Sequence, residues 1–194
     1  MFVLVENDSI TKTLSTSKGI TIGETQYPRA IYTLWSAAER EAIGIYEVVF
    51  DNTNFKDQKY YTNTNQSFAF ADGVATASYG SATAKNLADV TENGVTTPGL
   101  KTKHKEIIKQ QASGLLTPTD WYVLKATDVE SYSVPSAVTT FRANVRTKSN
   151  TMETAIDNAS DVDALATLYQ YVNTGTEENP VMERPLGEFP TLEV

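Results

Sequence analysis

The feature that most constrains this chain is a change in hydrophobic period near residue 100. Before it, β-branched and aromatic residues come in short runs punctuated by turn formers; after it, apolar residues recur every three to four positions. A chain so divided is expected to fold as α+β, with a β-rich head (1–92), a linker (93–99), a helical module (100–173) of about four helices, and an extended C-terminal arm (174–194).

The head reads as hairpins plus one short helix. "FVLVE" and "SITKTL" flank Asn7-Asp8, residues that tolerate the left-handed conformation of a two-residue turn. "SFAFADGVATASYG" is two alternating runs joined by Asp72-Gly73. Between them, after Trp35, Ser36 followed by Glu39 has the spacing of a capping box, and Gly44 supplies a stop, so a helix is expected over about 37–43. "IYEVVF" and "QKYYTNT" read as strands. Asn93-Gly94 and Pro98-Gly99 mark 82–100 as connecting chain.

Beyond that point, Ile107, Ile108 and Ala112 predict a helix that stops at Gly114. Thr117-Pro118-Thr119-Asp120 begins the next, with Thr117 as cap, Pro118 in the first turn and Asp120 accepting from free backbone amides. Trp121 is expected to bury its ring as a core anchor. After Pro135, Val138, Phe141 and Val145 form one stripe, which Met152 and Ile156 extend. Ser160 is expected to cap a last helix, with Val162, Leu165, Leu168, Tyr169 and Val172 inward. The tail "NTGTEENPVMERPLGEFPTLEV" has no period, and Pro180, Pro185 and Pro190 favour an extended conformation, ordered where a groove or sheet edge receives it.

Several function classes lose ground on composition. A net charge of −8 repels nucleic acid and anionic lipid, and the densest basic run, "KTKHKEIIK", has no interleaved aromatic residue; it reads as a solvated helix face with His104 on the surface. No nucleic-acid or membrane partner is expected, and no run approaches a membrane span in length. The start "MFVLVENDSITK" lacks the basic leader of a signal peptide. Without cysteine there is neither a disulfide framework nor a thiolate metal site, and with a single histidine a zinc site would need several carboxylates. No phosphate loop, dinucleotide turn, nucleophile elbow or EF-hand loop is present; Asp161 and Asp163 read as first-turn acids. No catalytic, cofactor-binding or metal-binding residue is assigned, and no enzyme is expected.

"LLTPTDWYVL", followed some twenty residues on by "FRANVR", resembles the phage tail assembly chaperone family and related C-terminal segments of tailed-phage virion proteins. The matching positions are Leu115, Leu116, Asp120, Trp121, Phe141, Arg142, Val145 and Arg146. The first half, with its "VLVENDSITK" hairpin and "YPRAIYTLWSAAEREAIGIYEV", is similar to the N-terminal domain of small tailed-phage structural proteins. Phe141 stands where tyrosine is commoner, and the last helix and acidic tail extend past the usual end. The resemblance implies a non-enzymatic virion protein of the tail, baseplate or fibre attachment region, assembled in the bacterial host cytoplasm. Its implied partners are other phage structural proteins and further copies of itself. The alternatives are a fibre assembly chaperone that leaves the particle, and a glycan-binding or glycan-degrading module in which Trp35, Trp121 and the tyrosines of "QKYYTN" stack on sugars. Arg142 and Arg146, four apart, and the three tail prolines are the candidate contact residues. Trp35, Ser36, Glu39, Asp120, Trp121 and Phe141 are the structural anchors.

Overall fold

A computed structural model describes residues 1–192 of the chain. The fold is α+β, a β-rich N-terminal half followed by helices, and it divides into two units between Thr83 and Ala84.

The first unit contains β1 (Phe2–Glu6), β2 (Ser9–Leu14), β3 (Ile20–Ile22), β4 (Thr25–Tyr27), the short helices α1 (Ile31–Leu34) and α2 (Ala37–Glu41), β5 (Ile45–Asp51), β6 (Tyr61–Thr62), β7 (Ser67–Ala71) and β8 (Val74–Ser78). Asn7 and Asp8 both adopt positive φ between the paired residues Glu6 and Ser9, and Asp72-Gly73 does the same between Ala71 and Val74. These are the turns whose twist matches that of the flanking strands. The main sheet runs β2-β1-β5-β8-β7, antiparallel except where β5 and β8 lie parallel.

Strand β1 is apolar from Phe2 to Val5 because both of its faces are covered there. Phe2 and Leu4 face one cluster with Leu14, Ile20, Ile31, Tyr32 and Ile45; Val3 and Val5 face another with Val48, Ala75 and Ala77. Where β5 leaves these clusters, Val49 and Phe50 are exposed. The capping box is present: Ser36 Oγ accepts from the Glu39 amide at 3.3 Å, and Glu39 Oε2 accepts from the Ser36 amide at 2.7 Å. That backbone donor, ahead of the Ser36 hydroxyl, holds the Glu39 carboxyl below its ordinary value.

After β9 (Thr83–Ala84), which lies at the division, the second unit holds the hairpin β10 (Val90–Glu92) and β11 (Val95–Thr97), then α3 (Leu100–Leu116), a 3-10 turn (Thr117–Thr119), α4 (Asp120–Asp128), α5 (Ser136–Asn158), α6 (Val162–Thr167), and the two-residue strands β12 (Val172–Asn173) and β13 (Met182–Glu183). The expected linker is thus a hairpin, turning on Asn93 and Gly94 at positive φ. Its end feeds α3 directly. Asp89 Oδ1 accepts from the Gly99 amide (2.8 Å) and the Thr102 hydroxyl (2.7 Å), while the amides of Leu100 and Lys101 donate to the carbonyls of Asn86 and Leu87. The first turn's free donors are satisfied by this preceding chain.

Helices α3 and α5 pack against each other along the expected stripe: Val138, Phe141, Val145, Met152 and Ile156 are all buried on α5, continued through Ser149. On α3 the buried positions are Leu100, His104, Ile108 and Ala112, a strict four-residue spacing, and Ile107 is exposed. His104 is therefore a core residue and not a surface one: its spacing from Leu100 and Ile108 places it in the stripe, where its ring meets Tyr169 at 4.7 Å. The lysines around it point outward, Lys105 to Asp157 (2.8 Å) and Lys109 to Glu153 (3.4 Å). Helix α3 also runs past Gly114 to Leu116. The cap of α6 is Asp161, not Ser160: its Oδ1 accepts from the Ala164 amide at 2.7 Å, while Ser160 donates to the same carboxylate. Val162 and Leu165 are buried, but Val172 is exposed in β12.

Candidate functional site

Helix α4 is the distinctive surface of the second unit. It follows α3 through the 3-10 turn, whose Thr119 is buried and donates to the Leu116 carbonyl at 2.6 Å. No residue of α4 itself is buried. Trp121 is 50% exposed, Val123 41% and Leu124 65%, and Val129 at the helix end is 41% exposed. The expectation of Trp121 as a core anchor is corrected. Its physical reason lies in the order "WYVL": four consecutive large residues, 100° apart, point around the whole helix, so no single face can seat them. The exposed ring is stiffened locally. Trp121 and Tyr122 lie 3.9 Å apart between centroids, and the Lys125 ammonium spans from Trp121 (5.8 Å) to Tyr132 (4.3 Å).

Asp120 does not cap this helix through backbone amides. Its Oδ1 accepts instead from Arg142 Nη1 at 2.8 Å, and the same Nη1 donates to the Leu116 carbonyl (3.1 Å) and the Thr119 hydroxyl (2.5 Å). The guanidinium, 13% exposed, thus ties α5 to the corner where α3 ends and α4 begins. The two arginines part company: Arg142 is committed within the unit, whereas Arg146 is exposed, with one bond to the Arg142 carbonyl at 3.3 Å. Phe141 between the helices is buried as expected.

The tail does not stand away from the body. Its groove is provided by its own unit. After the β12/β13 pair, Leu186 is 2% exposed and donates its amide to the Leu168 carbonyl at 3.0 Å. Phe189 and Leu192 pack with Leu115 and Leu116 against Ala112, Phe141 and Val145. Arg184 clasps Glu188 (2.7 Å), which also accepts from the Tyr171 hydroxyl at 2.5 Å; that bond raises the tyrosine's pKa. Pro180 and Pro185 are exposed, and Pro190 is half-buried beside clefts next to α5. The final two positions of the expected arm lie outside the described residues.

The aromatic residues considered for sugar stacking have other surroundings. Tyr60 and Tyr61 are buried, with Lys59 and Lys56 over their rings, and Trp35 meets Tyr27 edge-on at 5.9 Å in the first unit's core. Among the described residues, no group of three or more His, Asp or Glu side chains could hold a metal ion. No helix of the described residues is long and apolar enough to cross a membrane.

Sequence reasoning missed Val123, Leu124 and Val129 as surface residues and Leu186, Phe189 and Leu192 as the tail's anchors. The run "WYVL" was the available signal for the first group. For the second, the spacing of three between apolar residues was present but interrupted by Pro185, Gly187 and Pro190. What α4 offers chemically is aromatic and aliphatic area with one ammonium among it, the make-up of a contact surface. Comparison with protein families, curated proteins and solved structures finds no match to the chain.

Proposed function

We propose that this protein is a non-enzymatic structural component of a tailed-phage particle, of the tail, baseplate or fibre attachment region, acting through contacts with other phage proteins. The observation that carries the reading is α4: a helix with no buried residue that displays Trp121, Val123 and Leu124, within the stretch that resembles phage tail proteins. Exposed tryptophan on a well-held helix is costly to leave in water and characteristic of interface anchors. The Arg142 clasp supports the reading, because it holds the base of α4 while leaving its apolar residues uncovered.

Mass spectrometry of purified particles tests this. Stoichiometric presence in particles, lost in a Trp121→Ser/Leu124→Ser double variant that still folds, is the expected result. A protein absent from particles yet bound to unassembled fibre through α4 would instead be an assembly chaperone. Binding to host surface glycans that survives the double variant would count for the sugar-binding reading.

A further inference from the structure

The C-terminal segment shows how a second copy of the chain would be held. We propose that segment 186–192 is an exchangeable arm, and that the groove it fills between α3 and α5 receives the same segment of a neighbouring copy, joining protomers into an assembly. This deepens the structural reading above by naming one partner, but it rests on the groove and its occupant alone.

The groove is shaped for this occupant. Leu186, Phe189 and Leu192 recur every third residue and reach the end of α6 and the Ala112, Phe141 and Val145 cluster. Arg184, between the crossover and the arm, pairs with Glu188 of the arm at 2.7 Å and moves with it. An arm seated on a neighbour would repeat every one of these contacts, so exchange changes the energy only where the chain crosses over.

The crossover is built to open. Positions 173–183 are all exposed, and they form one hairpin, the two-residue β12/β13 pairing continued by the Thr174 amide donating to the Val181 carbonyl (2.8 Å) and the Thr176 amide to the Asn179 carbonyl (3.2 Å), a two-stranded ribbon of marginal stability by itself. Gly175, Pro180 and the acids Glu177 and Glu178 favour a solvated chain here. Extended, those residues span roughly 30–35 Å, enough to bridge to an adjacent copy. Opening gives up the arm contact in cis, which binding in trans regains, so the net cost lies in this small hairpin, with its Asn173 side-chain bonds to the Gly175 and Val181 amides and its Thr174 bonds to Val181 and Glu183.

Sedimentation of the purified full chain over a concentration series tests the proposal without particles, so a failure here is distinct from a failure of the virion reading. Reversible self-association is expected. Phe189→Asp in the arm and Leu115→Asp in the groove should each unseat the arm in cis and in trans alike, leaving monomers with a free arm. Mixing the two variants should restore a heterodimer, because one intact arm then meets one intact groove. Leu192→Ser replaces Phe189→Asp if circular dichroism shows that aspartate to unfold the helices, and its mixture with the groove variant should associate more than either variant alone. A chain that stays monomeric throughout, association that the arm and groove variants leave unchanged, or a mixture that does not complement overturns the exchange.

Discussion

Replacing Arg142 with alanine isolates what holds α4 in place. Its guanidinium is mostly buried and satisfies the Leu116 carbonyl, the Thr119 hydroxyl and the Asp120 carboxylate. Of these, Asp120 is half exposed and can be rehydrated, so the ion pair itself is worth about 0.5–1 kcal/mol. The Thr119 residue is 3% exposed, and a charged donor to such a buried acceptor contributes about 1.5–3 kcal/mol. Arg142→Ala should therefore cost about 2–4 kcal/mol and Asp120→Ala less than half of that. For a unit of this size the first corresponds to a fall in Tm on the order of 10 °C. Ellipticity at 222 nm reports the helical unit, and in a Trp121→Phe background Trp35 fluorescence reports the first unit separately. Two results refute the reasoning: a cost below about 1 kcal/mol for Arg142→Ala, or equal costs for the two variants, which would make the pair an ordinary surface salt bridge.

Other variants probe the remaining claims. Trp121→Ser should change stability by no more than about 0.5–1 kcal/mol, because the ring is already half in water, whereas Met152→Ala, fully buried on α5, should cost about 2–4 kcal/mol; urea titrations separate the two. Gly99→Ala should destabilise the helical unit by about 1–3 kcal/mol, since its new methyl meets the Ala88 and Leu87 carbonyls, which are backbone and cannot rotate away. Asp89 is held below its ordinary pKa by the Thr102 hydroxyl and then the Gly99 amide, and Asp161 by the Ala164 amide and then Ser160. Because the folded pKa lies below the unfolded one, the stability they confer is present above the unfolded value and disappears as pH falls through the folded one, below about pH 4. Asp161→Asn keeps a cap acceptor but does not titrate, so the helical unit of that variant should lose less stability on acidification than the parent's.

Local chemistry was legible in the sequence, and surfaces were not. Asn7-Asp8, Asp72-Gly73, the Ser36/Glu39 box and the α5 stripe act over a few neighbouring residues, and each appears where its residues stand. Asn93-Gly94 carries the same turn chemistry but reads as linker, because three residues on either side are too few to show alternation. The parallel β5/β8 pairing has no local signature, since it depends on which strand a distant one finds. Trp121, His104 and the tail fail for a related reason. Apolar character predicts burial only if some other element supplies a matching face, and polarity predicts exposure only if the stripe does not run through the residue. His104 falls on a stripe spaced by four, so packing overrode its polarity. Trp121 falls on a helix whose apolar residues point all round, so half of it stays in solvent.

That contrast shifts where contact with other proteins is to be sought. The paired arginines suggested the face of α5, but Arg142 is mostly buried with its Nη1 engaged at the α3–α4 corner, and removing it would disturb α4 and any partner together. Loss of binding in Arg142→Ala could therefore not be read as loss of a contact. The discriminating pair is Arg146→Ala and Leu124→Ser. Both side chains are exposed, and neither holds an element in place. If α4 is the docking surface, Leu124→Ser should weaken capture of unassembled phage tail proteins by roughly tenfold or more, as the loss of a buried aliphatic anchor would, with Arg146→Ala within about threefold of the parent. The reverse order would place the contact on α5 and remove the main support for the reading given to α4.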